Sequence, residues 1–501
     1  MTTLDPKQFS VSVHEAEAVT FHDMVAEQLR HSPWLLLSAA LHAIAFLVLW
    51  ALVPVDRKPE SKNFAEVVPQ AQPEVEPPPE PEKIIEPKVE EPTDDIVLTD
   101  EPILETNDPV EVADTTQSDT MSAFTSNQWN TAVGSGGGAA GPYGGRRKGG
   151  NGTGAPKSIQ PTIARALEWL ARHQDEDGRW DCDLFGKHDL PGFAACDGAG
   201  SSVHDIGVTG LALLAFLGDN HTMRSGSYRE VVRRGVLWLR EQQQPNGLFG
   251  TNTSHDYIYD HAIAAYAMCE AYGLSRYTTL QPVAQNAINY LESHRNPYGV
   301  WRYQPHDLDN DTSVTGWCVM AYESAKYFGL TVNQTALDLA ANWFDQVSDA
   351  TGRHGYRALG ELSSRKGGDH ATRFPVEKGE AMTAVGLFCR FFLGQDPKEK
   401  TVMQAATALI GQKPPVWDEA GGAIDHYYWY YATYAMFQVG GRPWTEWQKH
   451  LQKAVVKTQH SDAGDKNRLG SWDPVGAWGG DGGRVYSTAI LTLTLQAYYR
   501  Y

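Results

Sequence analysis

Six stretches in the C-terminal two thirds of the chain have helical length and almost no polar face: "GVTGLALLAFLG", "DHAIAAYAMCEAYG", "TSVTGWCVMAYESAKYFG", "AMTAVGLFCRFFLG", "YYWYYATYAMFQVGG" and "VYSTAILTLTLQAYY". A helix without a polar face has to be buried on every side. Before them, at a period of roughly fifty residues, come amphipathic segments with a charged face, clearest in "TIARALEWLARHQ", "VVRRGVLWLREQQ" and "VAQNAINYLESHR". Polar turns with a glycine and an aromatic separate the two kinds: "QDEDGRW", "QPNGLF", "NPYGVW", "TGRHGY" and "LGSW". The economical way to bury six apolar helices beneath six amphipathic ones is a closed ring. A linear solenoid needs polar caps at both ends, whereas this chain stops inside an apolar helix at "LTLQAYYRY". The expectation for residues 158–501 is therefore an all-α (α/α)6 toroid of six outer–inner helix pairs.

Three zones precede it. Residues 1–33 form a polar N-terminal tail. Trp34 to Val53 carries no charge, is long enough at 1.5 Å per residue to cross a hydrocarbon core of about 30 Å, and has Trp34 and Trp50 near its ends. We expect an uncleaved transmembrane helix over 34–53, since the polar lead and the apolar core are both too long for a signal peptide. Residues 54–157 read as a disordered linker, first Pro/Glu-rich ("PQAQPEVEPPPEPEKIIEPKVEEPTDD"), then Gly-rich. The net charge of −19 sits mainly there: residues 56–120 hold five Lys/Arg against nineteen Asp/Glu, while 121–501 hold thirty-five against thirty-seven. The toroid is nearly neutral, with no basic surplus for a nucleic-acid partner.

The turn "QDEDGRW" (Gln174, Gly178, Trp180), with the near match Gln243, Gly247, Phe249, fits the Q-x-x-x-G-x-W repeat of squalene cyclases. With "GVTGLALLAFLG" and "DTSVTGW", residues 158–501 resemble the prenyltransferase and squalene-oxidase repeat family, close to a squalene-cyclase-like group of planctomycete-type bacteria. The resemblance implies the toroid. It implies the family's activities less directly. Squalene cyclases protonate an alkene with the middle acid of D-x-D-D-T-A. Aligning "DLDNDTS" on Asp311 and Thr312 puts Asn310 at the donor position, and making Asp309 the acid loses the motif. Protein prenyltransferases hold zinc through D-x-C and a later His, but here Asp181 directly adjoins Cys182. The C-G-E-Q of thioester proteins is absent.

Candidate chemistry lies where the apolar helices begin. Asp205, Asp260, Asp311, Glu380, Asp425 and Asp481 each stand at or just before one, and capping of orphan helix N–H groups is the plain reading of each singly. Parallel inner helices would present all six at one mouth of a central cavity. Histidines accompany several, in His204–Asp205, Asp260–His261, His306–Asp307, Asp369–His370 and Asp425–His426. The catalytic candidates are Asp260, His261, Asp311, Glu380, Asp425 and His426, as acid, base or ligands of a divalent metal. No organic cofactor is implied. Tyr259, Trp429, Tyr430 and Tyr486 are the rings expected at the cavity, where they would serve a lipid or a sugar. Cys269, Cys318 and Cys389 read as buried small hydrophobes. Cys182 and Cys196 flank "CDLFGKHDLPGFAAC" and are candidates for a disulfide outside the cytoplasm.

In the apolar span, Ser38 and His42 share a helix face, and an ionisable group inside a membrane is a functional hypothesis. An S-x-x-x-H pair in an N-terminal anchor, followed by a Pro/Glu-rich linker, resembles TonB-type energy transducers. That implies contact with an ExbB–ExbD-type proton-driven motor and a toroid in the periplasm of a single-pass inner-membrane protein. The charge bias points the other way, with Lys7 and Arg30 before the span and Arg57, Lys58 and Lys62 after it. The expected function is a membrane-anchored binding or scaffold protein coupled to such a motor. The alternative is an enzyme acting on a lipid, an isoprenoid or a glycan in the toroid's cavity.

Overall fold

The computed structural model describes residues 155–500, together with His42 and Ile44, which are helical and exposed. The rest of the span 34–53, including Ser38, and the linker up to residue 154 lie outside the described residues. Among the described residues no helix is long and apolar enough to cross a membrane. The chain divides into units of residues 1–92 and 93–501, and the toroid belongs to the second.

Twelve long helices alternate in position among the described residues. The outer ones are α1 (Ile159–Arg172), α3 (Arg229–Glu241), α5 (Gln281–His294), α7 (Gln334–Val347), α9 (Thr401–Gly411) and α11 (Gly441–Ala454); the inner ones are α2 (Asp205–Gly218), α4 (Tyr257–Ser275), α6 (Thr312–Tyr327), α8 (Ala381–Phe392), α10 (His426–Val439) and α12 (Gly479–Leu495). The patterning explains the division. Helix α2 buries nearly every residue, whereas α1 buries only a stripe that includes Ile159, Ile163, Ala166, Leu167 and Leu170. No strand forms among the described residues, where the isolated β-bridges Gln243–Phe249 and Ser348–His354 tie turns. Each inner helix packs on the next, and α12 returns to α2, so the ring is closed and the solenoid alternative falls.

The recurring turn is a bracket between neighbouring outer helices. Gln174 donates through its amide to the Gly178 carbonyl at 2.8 Å and to Val231 of α3 at 2.9 Å. Gly178 has φ +104°, and a Cβ there would lie 2.3 Å from the Arg234 carbonyl oxygen, so only glycine lets the turn approach α3. Trp180 is fully buried and its indole donates to the Leu170 carbonyl of α1 at 2.8 Å. Gln243, Gly247 and Phe249 repeat the arrangement against Val283 of α5. The last pair uses the same bracket to close the ring. Gln459 donates to Gly470 at 2.9 Å and back to Thr162 of α1 at 2.8 Å, while the Trp472 indole caps Val455. Nearby, Arg484 of α12 donates from its backbone to Gly198, and Ser201 to Asp481.

Candidate functional site

The axis of the ring is a cavity of about 510 Å³ to which all six inner helices contribute from their first turns. Helical spacing selects the contributors: Val208 and Leu211 from α2, Tyr259 and Ile263 from α4, Ser313 and Trp317 from α6, Gly482 and Tyr486 from α12. Helices α8 and α10 add Met382 and Tyr427, and the turns after α5 and α7 add Tyr303 and Tyr356. The wall is mostly apolar and aromatic. Its phenols are linked: Tyr303 and Tyr356 hydroxyls lie 2.8 Å apart, and the Tyr427 hydroxyl is 2.8 Å from Ser313 Oγ.

Charge is gathered at the mouth. Nδ1 of His204 lies 3.1 Å from Oδ2 of Asp260. Burial, reinforced by Asp256, raises the Asp260 carboxyl; burial pulls His204 down, but the bond to Asp260 outweighs it and its pKa is raised. Across the mouth runs a strap between α7 and α8, whose residues 363–367 line the cavity. Lys366 pairs with Asp481, and Arg365 donates to Asp425 at 2.9 Å and to the Phe374 carbonyl at 3.0 Å.

Behind the wall sits Asp311, fully buried. Its Oδ1 caps α6 by accepting from the Val314 N–H at 2.7 Å, and its Oδ2 has no hydrogen-bond partner. Burial pushes its pKa up to about 7, against the backbone bond that favours the charged form. Its charge is felt by the phenols of Tyr259, Tyr303, Tyr356 and Tyr427. It is a carboxylic acid able to keep its proton near neutrality beside a tyrosine-lined chamber.

The expected ring of six acids does not form. Asp260 and Asp481 reach the mouth, while the others are directed into the protein by their own bonds. Asp205 accepts from the Cys182 N–H, Glu380 pairs with Arg353 and Lys413, and Asp425 caps Tyr428 while holding Arg365. His261 is structural: its ring accepts from the Phe249 N–H and reaches the Ala287 carbonyl. His426 is buried between Trp417 and Trp429, without a hydrogen-bond partner, and burial lowers its pKa to about 3. Tyr259 and Tyr486 line the cavity. Trp429 and Tyr430 do not: Trp429 packs near Trp417, away from the axis, and Tyr430 lies one turn deeper than Tyr427, stacked on Trp317 at 5.7 Å. Asn310 is a turn residue, accepting from the Val300 N–H. Cys182 and Cys196 are free thiols. The Cys182 thiol is bonded to Asp205 and the Cys196 thiol donates to the Asn467 carbonyl, so the expected disulfide is replaced by two separate partnerships. Among the described residues, trios of potential metal ligands gather at Asp181–Asp183–Asp205 and at His173–Asp189–Cys196, neither of them lining the cavity.

Sequence reasoning missed Arg365, Lys366, Tyr303, Tyr356, Trp317 and Tyr427. The first two sit in a Ser/Gly-rich connection, "LSSRKGGD", that reads as an ordinary loop; its adjacent cations were the available signal.

No protein-family model matches the sequence, and no curated protein sequence does. Solved structures with a related helix arrangement include an inactive variant of an α-1,6-mannanase from Salegentibacter sp. in complex with α-1,6-mannotriose (9% identity, 68% of this chain and 99% of that one, TM-score 0.45). Others are an α-amylase from Clostridium perfringens (10%, 68% and 97%, 0.43) and the type II terpene cyclase MstE from Scytonema (14%, 68% and 98%, 0.41). At these identities and TM-scores none bears on what this chain binds or does.

Proposed function

We propose that the toroid is an enzyme acting on a lipid-like or isoprenoid small molecule, whose apolar body fills the central cavity and whose polar end meets the charged mouth. The carrying observation is the asymmetry of the chamber: aromatic and aliphatic walls supplied by six helices, with ionised groups confined to the mouth. A volume of about 510 Å³ falls in the range of small-molecule sites. Asp311 is the proton source in this reading: it lies behind the wall rather than on it, with its pKa raised to about 7, and acts through the tyrosines in front of it. The glycan alternative is less well served, because a sugar needs polar partners along its length and the wall offers few.

The test is extraction of the purified full chain with organic solvent and mass spectrometry of what is released. Leu211→Trp, which fills the cavity from α2, should abolish capture of lipid-like molecules, and Asp311→Asn should retain capture but stop turnover. Release of sugars alone, or capture unchanged by Leu211→Trp, would sink the reading. The anchor at 34–53, the motor contact through Ser38 and His42 and the periplasmic placement belong to the same proposal and rest on sequence alone; crosslinking from position 42 to an ExbB-type partner tests them.

A further inference from the structure

Away from the cavity, where α1 ends, His173, Asp189 and Cys196 bring one ring nitrogen, one carboxylate oxygen and one sulfur within 4.8 Å of one another. We propose that these three side chains form a zinc site that clasps the loop between α1 and α2 beside the closing seam of the ring.

The tautomer of His173 carries the argument. The ring is fully buried and stacked on Trp169 at 4.0 Å, and its Nδ1 lies 2.8 Å from the Trp169 carbonyl oxygen. A carbonyl only accepts, so Nδ1 holds the proton and Nε2 presents a lone pair. That lone pair has no hydrogen-bond partner. It faces Oδ1 of Asp189 at 3.5 Å, and that oxygen also has no donor and is shielded from solvent. Two bare acceptors held face to face in a buried place cost free energy unless a cation stands between them. Bonds of about 2.0–2.2 Å in tetrahedral zinc set nitrogen and oxygen ligands roughly 3.3–3.5 Å apart, the spacing present here.

The supporting bonds fit the same assignment. A metal-bound histidine ordinarily donates its second N–H to a backbone carbonyl, as His173 does to Trp169. The second Asp189 oxygen accepts from the Cys196 N–H at 2.6 Å, which fixes the carboxylate and brings the thiol alongside. The Cys196 thiol donates to Asn467 at 3.0 Å. On binding, sulfur exchanges its proton for the metal, so one proton is released to solvent per zinc bound. Nitrogen, sulfur and one carboxylate form a zinc-type set rather than a magnesium or calcium one. Asp189 and Cys196 are only half-buried, which leaves the fourth position to water. The Asn467 carbonyl, in the last turn of the ring, also accepts from the Trp169 indole, so that link between the first turn and the last stays when the thiol gives up its proton.

The test uses the full chain stripped with chelator and titrated with Zn²⁺ and, separately, Co²⁺. One equivalent of zinc, a rise of a few degrees in Tm and a thiolate-to-cobalt charge-transfer band are expected. Cys196→Ser, at a half-buried position that tolerates the exchange, should remove the band and weaken zinc by about 100-fold or more. His173→Gln should do the same; if it fails to fold, Cys196→Ser decides alone. A cobalt spectrum without the thiolate band, a band that survives in Cys196→Ser, or less than one zinc bound would overturn the proposal. So would nitrogen NMR of the zinc-loaded protein that finds His173 Nε2 protonated and sharing its proton with Asp189.

Discussion

Replacing Gln459 by alanine should cost more than removing any other bracket glutamine, because Gln459 makes four bonds, three of them across the seam to α1. Its amide donates to Thr162 and Gly470, and its Oε1 accepts from Arg165 Nε at 3.0 Å and Nη2 at 2.8 Å. Two neutral bonds are worth about 1 kcal/mol each and the guanidinium pair about 1.5 after Arg165 is partly rehydrated, giving a loss of about 3–4 kcal/mol. Gln243 is only half-buried and makes one good bond, at 2.9 Å to Val283, beside a longer one at 3.3 Å to Gly247. Its alanine variant should lose about 1 kcal/mol. Urea unfolding followed by tryptophan fluorescence reads both, since Trp169 and Trp472 lie at the seam; in heat the larger loss corresponds to about 4–6 °C in Tm. Equal losses in the two variants, or less than about 1 kcal/mol for Gln459→Ala, would show that the ring does not depend on this bracket for closure.

Three further outcomes follow from the geometry. Gly178→Ala should destabilise by at least about 2 kcal/mol, since it combines a left-handed φ with a Cβ 2.3 Å from a backbone oxygen; the same urea titration checks it. Because the Asp311 pKa is raised to about 7, the folded protein holds that proton more tightly than the unfolded chain, so its stabilising contribution is whole below about pH 4 and is lost as pH rises to about 7. Asp311→Asn keeps a capping oxygen for Val314 and should flatten that decline, read as the difference between wild-type and variant unfolding free energies from pH 4 to 7; parallel curves would refute it. Arg365→Ala strands the buried Asp425 carboxylate, both side chains being only 6% exposed, and should cost about 3–5 kcal/mol while Lys366→Ala costs under about 1.

The ring was readable because its signal is one of omission: α2 and α4 lack a polar face, and nothing but burial on all sides accommodates that. The turns were readable as glycine plus aromatic, but Gln459 was not, since eleven residues separate it from Gly470 where four separate Gln174 from Gly178. The chamber was half legible. Tyr259 and Tyr486 could be placed, yet in "HYYWYYATY" the lining ring is Tyr427 rather than Trp429, which faces another way, or Tyr430, which lies one turn deeper; periodicity alone fixes neither in a helix buried all round. The His204–Asp260 pair joins positions 56 residues apart on successive turns of the ring, beyond the reach of local spacing. Capping was the right reading for Asp311 and Asp425, but what distinguishes Asp311 is its complete burial and its unpartnered second oxygen, which local spacing does not show.

The bracket at the seam has a kinetic consequence. Gln174 reaches a partner 57 residues along the chain, whereas Gln459 reaches one 297 residues back. By loop entropy the second closure is dearer by about 1.5 kcal/mol, and it has to wait for synthesis of the last pair. Until then α2 shows an uncovered apolar flank. A second chain caught at the same stage offers the identical partner, and each can complete the other with every native contact kept. Crowded refolding should therefore produce interlocked double rings beside single ones, in a ratio that rises with protein concentration.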